Sequence, residues 1–204
     1  MPTPAGRRRA IRGLLLKIFP AFALSLLLWQ ALGVGDAYHR ILAATLDAVW
    51  PVFDGTGLIA GVVADGDTMI VRLQSGMTRQ TLEVTAHDVT SNWALFLALF
   101  AASPMRRRWR QFGLALGAGI LLLFIVHVFT FVSVTLEALA SHPLFAQDVP
   151  PLAKGFARPY NLFYVEFWMY LVVLLLWIPY ILGALRTDVG NDGGRDASVR
   201  EATG

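Results

Sequence analysis

The feature that most constrains this chain is the way its apolar residues gather in blocks. The run from Gly13 to Gly35 is almost wholly apolar, with Lys17 near its start. At about 1.5 Å per residue a helix of that length crosses a hydrocarbon layer about 30 Å thick. The blocks at 112–136 and 163–185 have the same character, and a shorter one occupies 89–104. Four such blocks predict a mainly α, polytopic membrane protein with four transmembrane helices, its core formed between them. The composition agrees. Of 204 residues, 56% are hydrophobic and 15% charged, where a soluble domain carries about 25% charge. The mean hydropathy is +0.57.

The net charge of +3 raises the question of nucleic acid. The arginines sit in short runs beside apolar blocks, which is how a membrane protein marks its cytoplasmic side. Arg7, Arg8 and Arg9 precede the first block within the basic N-terminus, 1–12. Arg106, Arg107, Arg108 and Arg110 fill the turn at 105–111. One turn of charge makes a poor groove for a polyanion, so the expected partner is the lipid bilayer. The segments between the other blocks hold only scattered cations: Arg40, Arg72, Arg79, Lys154 and Arg158. Both termini are therefore expected in the cytoplasm of a bacterial inner membrane, with 36–88 and 137–162 outside and a disordered tail at 186–204. A cleaved signal peptide competes for the first block, but the run is long for one and no A-x-A site follows.

The outer segment 36–88 changes texture along its length. Tyr38, Leu42, Leu46 and Val49 form a helical stripe, with His39, Arg40 and Asp47 off it and Pro51 at the end. That is an amphipathic helix on the membrane surface. Then LIAGVVA, TMIVRLQ and TRQTLEVTA are β-type runs separated by Asp65-Gly66 and Ser75-Gly76. Met69, Val71 and Leu73 alternate with Ile70, Arg72 and Gln74, as in a small meander with one wet face. The segment 137–162 is rich in proline and is expected as a loop.

Chemistry gathers where the β-rich segment enters the second apolar block. His87, Asp88, Ser91, Asn92 and Trp93 stand there, with His127 in the third block and Glu166 in the fourth. Asp88, Thr90 or Ser91 suits a helix cap. His87, Asp88, Asn92 and Trp93 suit a rim that binds a partner. An ionisable group inside a span is costly and faces protein or water, which singles out His127 and, near the interface, Glu166. Ser91 with His127 would make a serine enzyme only if the two met, and their expected depths differ by roughly 10 Å or more. Gly113, Gly117 and Gly119 allow close helix approach in the third block. The chain has no cysteine, which excludes disulfides and thiol nucleophiles. Its four histidines have no paired spacing and no phosphate-binding glycine loop is present, so neither a metal nor a cofactor is expected.

The order of parts resembles the core of the exosortase/archaeosortase family over about residues 57–135. A β-rich outer segment leads into VTAHDVTSNWALFLALFAA, then the arginine turn SPMRRRWRQ and the glycine-bearing FGLALGAGILLLFIVHVF. The resemblance implies a membrane system that processes proteins bearing a C-terminal sorting tail. Family members place a catalytic cysteine at the outer start of the helix, near Thr90, Ser91 or Asn92 here, assisted by arginine and histidine on later spans. This chain has no cysteine, no arginine where the third block ends in HVFTFVSVT, and fewer spans. It is most similar to the small exosortase-associated membrane proteins of the exosortase H-associated type. What that implies is a non-catalytic accessory protein that binds an exosortase-like enzyme or its substrate at the outer face. The alternatives are a degenerate transpeptidase or protease using Ser91 and His127, and a structural subunit of an envelope complex or transporter.

Overall fold

The computed structural model describes residues 4–53, 57–103, 109–164, 167 and 169–181. Arg106, Arg107, Arg108, Glu166 and the expected tail at 186–204 lie outside the described residues, as do the side chains of Arg7, Arg8 and Arg9. The protein is mostly helical, with one three-stranded antiparallel sheet.

The first apolar block is part of a longer helix, α1 (Pro4–Ala31). It stops at Gly33, whose φ of 66° is a conformation that favours glycine. The next helix, α2 (Val34–Phe53), is bent 65° from Leu16–Ala31. The break is tight, because a Cβ on Gly35 would lie 2.9 Å from Trp29 Nε1. Leu42 and Leu46 are buried as the apolar stripe requires. His39, expected off that stripe, is also fully buried, because Gly66 and Thr90 close over it. Pro51 does not end α2, which runs on to Phe53; in a last turn, a proline forfeits little more than its own amide bond.

The meander follows as β1 (Ile59–Asp65), β2 (Thr68–Ser75) and β3 (Thr78–Thr85). Two-residue loops join them, each opening on a glycine with positive φ, Gly66 at 56° and Gly76 at 59°. Met69, Val71 and Leu73 turn inward and Arg72 and Gln74 outward, as the alternation predicts. The Val62 amide donates to Asp47 Oδ1 at 3.0 Å, tying the edge strand β1 to α2.

The second apolar block is two helices, α3 (Ala86–Thr90) and α4 (Asn92–Ala102), meeting at Ser91. α4 has 11 residues, about 16 Å, and is apolar all round because neighbours surround it. Then α5 (Trp109–Ser141) runs for 33 residues, about 50 Å. Its C-terminal end passes the expected boundary at 136 and packs Phe131, Val132 and Leu139 against the sheet and α2. The expected loop at 137–162 is largely helical, because α5 continues into it and α6 (Pro151–Phe163) starts on a proline suited to a first turn. Last described is α7 (Met169–Ile181).

Two apolar clusters result among the described residues. The sheet-side one joins α2, the sheet and the end of α5. The helix-side one joins Trp29 of α1, Phe96 and Phe100 of α4, Leu123 of α5 and Val173 of α7. Among the described residues one helix, α5, is long and apolar enough to cross a membrane, and the bent α1–α2 pair makes a second if it counts as one span.

Candidate functional site

A layer of buried polar side chains separates the two clusters, and the start of α4 builds it. Asn92 is the first residue of α4 and is fully buried. Its Nδ2 donates to the Met169 carbonyl at 3.0 Å, and to the Tyr164 hydroxyl at 3.4 Å. A carbonyl only accepts, so this contact fixes which end of the amide carries nitrogen. Asn92 Oδ1 then faces His127 Nε2 at 2.9 Å and must accept its proton. With Nε2 protonated, Nδ1 of a neutral imidazole carries the lone pair. The Tyr38 hydroxyl donates to it at 2.6 Å. The chain of bonds thus runs one way, from the Tyr38 hydroxyl through His127 and Asn92 to the Met169 backbone. It joins α2, α5, α4 and α7.

Aromatic rings seal this chain. Tyr38 packs edge-on against Trp93 and His127, at centroid distances of 5.2 and 5.8 Å, and against Phe124. Trp93 stacks on Trp29 of α1. Closer to the C-terminal end of α5, the Thr130 and Tyr160 hydroxyls lie 3.2 Å apart and Ser133 donates to the Ala157 carbonyl, which holds α6 along α5. Asn161 donates to Glu137 at 2.6 Å. Burial raises the Tyr160 phenol above its ordinary range, although the Thr130 hydrogen bond works against that.

The residues singled out in the sequence divide. His87 and Asp88 are exposed on α3. Asn92 and Trp93, expected on the same rim, are buried instead, because α4 begins inside the protein rather than at its surface. That inset start also corrects the depth argument. It brings the start of α4 level with His127, and the residue that meets His127 is Asn92, the neighbour of Ser91. Ser91 itself donates to Met169 Sδ at 3.5 Å. None of Asp88, Thr90 and Ser91 makes the expected cap. Ser91 is right-handed helical (φ −60°, ψ −23°) and makes no capping bond, whereas a capping residue is extended. Thr90 instead donates back to the Ala86 carbonyl. Glu166 lies outside the described residues.

Tyr38 and Tyr164 were missed by the sequence reading. The signal was present in part, since Tyr38 sits on the apolar stripe of α2, where a phenol brings one polar atom into the core. The glycines also divide. A Cβ on Gly119 would lie 2.7 Å from Phe96 Cζ, so α5 and α4 approach closely there. Gly113 and Gly117 face open space.

The fold and the site together define a mostly helical protein in which a buried polar layer fastens a small sheet domain to a helix cluster. No family model matches the chain, and no curated protein or solved structure matches it either.

Proposed function

We propose that the protein is a four-span inner-membrane accessory protein of an exosortase-type sorting system, and that it binds rather than reacts. The observation that carries the reading is the engagement of His127. Both its ring nitrogens are satisfied, by Tyr38 and Asn92, and the Ser91 hydroxyl turns to Met169. A serine nucleophile needs a base with a free lone pair within reach, and here that lone pair accepts from Tyr38.

Exposed apolar side chains support the membrane setting. Leu16, Phe19 and Leu24 on α1, Leu114, Leu121 and Ile125 on α5, and Leu175 and Ile178 on α7 face outward. A surface this apolar suits lipid. Exposed Trp109 and Arg110 suit the cytoplasmic interface. α6 would lie at the outer interface, with Phe156, Leu162 and Phe163 exposed and Ala157 and Asn161 against α5.

For the partner, the Gly113–Gly117 face of α5 offers the close-approach geometry of a transmembrane helix pair and meets nothing among the described residues. A spanning helix of an exosortase-like enzyme or its substrate is the proposed occupant. The test is co-purification and substrate processing in cells. Gly113→Ile with Gly117→Ile loses the partner and processing while the protein stays folded, and Ser91→Ala keeps both. Loss of processing in Ser91→Ala with the partner still bound would favour an enzyme.

A further inference from the structure

We propose a divalent transition-metal site, with zinc the expected ion, formed by Asp36, His39, Asp67 and the Gly66 carbonyl. It uses none of the Tyr38–His127–Asn92 hydrogen bonds, although the His39 ring packs 6.2 Å from that of Tyr38, and it does not rest on the sorting role.

Asp36 and His39 are three apart in the first turns of α2, which puts them on one face. The β1–β2 loop, Gly66 and Asp67, folds over that face. The ligand atoms of Asp36, His39 and Asp67 lie within 4.8 Å of one another. His39 Nδ1 is 3.0 Å from the Gly66 carbonyl oxygen and 3.8 Å from Asp67 Oδ1.

His39 is fully buried and engaged on two sides, with Nε2 3.0 Å from the Thr90 hydroxyl and Nδ1 3.0 Å from the Gly66 carbonyl. The Thr90 hydroxyl also lies 2.9 Å from the Ala86 carbonyl. In the tautomer in which Thr90 donates to Ala86 and accepts from Nε2, Nδ1 carries a lone pair aimed at a carbonyl and a carboxylate, which only accept. A metal ion at Nδ1 fits that tautomer and answers the Gly66 carbonyl, Asp67 and Asp36 at once.

The spacing suits an ion. Ligands about 2.0–2.2 Å from one zinc lie roughly 3.0–3.6 Å from each other. The 3.0 Å pair falls in that range and the 3.8 Å pair just beyond it, and the two aspartates are exposed and can swing inward. One imidazole nitrogen with carboxylate and carbonyl oxygens favours zinc over the oxygen-seeking calcium and magnesium. The Thr90 bond to Nε2 is the outer support that metal-binding histidines have. The two carboxylates outweigh the partial positive charge at the start of α2. Such an ion would pin the first hairpin to α2 just past its bend from α1.

The test uses the full chain in detergent, stripped with chelator and then supplied with zinc. One zinc is retained per chain, and the thermal midpoint rises by about 5 °C or more. Asp36→Asn with Asp67→Asn, both at exposed positions, abolishes the retained zinc and the shift while the stripped protein melts as before. Failure of the wild-type protein to retain zinc, or an equal shift in the double variant, would overturn the site.

Discussion

His127 on α5 and Asn92 on α4 are joined by a 2.9 Å hydrogen bond between fully buried side chains, at the level where the sheet-side cluster meets the helix-side cluster. Asn92→Ala removes the acceptor for His127 and the donor to Met169 together. At about 1–3 kcal/mol for each buried group left without a partner, the expected loss is about 2–5 kcal/mol. Tyr38→Phe removes only the proton donated to Nδ1 and is expected to cost about 1–2 kcal/mol. Thermal unfolding in detergent orders the two, with Asn92→Ala the lower.

Ser91→Ala is expected to change stability by no more than about 0.5 kcal/mol. Its one hydrogen bond goes to a thioether, a weak acceptor, at 3.5 Å. An unfolding midpoint indistinguishable from wild type is the expected outcome. A large loss would mean that Ser91 carries weight in the polar layer.

The three glycines of α5 are expected to behave differently. Gly119→Ala pushes a methyl group into Phe96 and should cost about 1–3 kcal/mol. Gly113→Ala and Gly117→Ala meet nothing among the described residues, and the gain in helix propensity makes each neutral or stabilising by up to about 1 kcal/mol. Melting the three variants side by side checks the contrast.

Tyr160 gives an alkaline prediction. Its phenol is raised in the folded state by burial, against about 10 in an unfolded chain. The unfolded state therefore loses its proton first as pH rises. The stabilising contribution is complete below about pH 10 and fades above it, as pH climbs towards the folded-state value. Tyr160→Phe is expected to melt at a temperature that falls less steeply between pH 9 and 11 in solution, about the range set by the phenol.

Much of the fold was legible because it rests on local periodicity. Alternation gave the meander and its inward residues, and the positive-φ glycines fell in the expected turns. The stripe of α2 marked Leu42 and Leu46 as buried. What escaped was tertiary. Nothing local says that α4 starts inside the protein, so Asn92 and Trp93 read as surface when they are core. His39 looked exposed because only the folding of the distant Gly66–Asp67 loop and Thr90 over it makes it buried. The same distance hid the Asp36–His39–Asp67 grouping, since histidine spacing alone shows no pair. Proline counts marked 137–162 as loop, whereas Pro151 at a helix start is favourable and Pro159 is carried within α6.

The central claim is that the apolar segments cross the membrane and leave the sheet on the outer side, and the absence of cysteine makes it directly measurable. Single cysteines at Gln74 and Arg110, both exposed, can be probed with an impermeant thiol reagent on cells whose outer membrane has been opened. The account predicts labelling at Gln74 at once and at Arg110 only after lysis. Labelling of Arg110 on unlysed cells, with Gln74 silent, would contradict it.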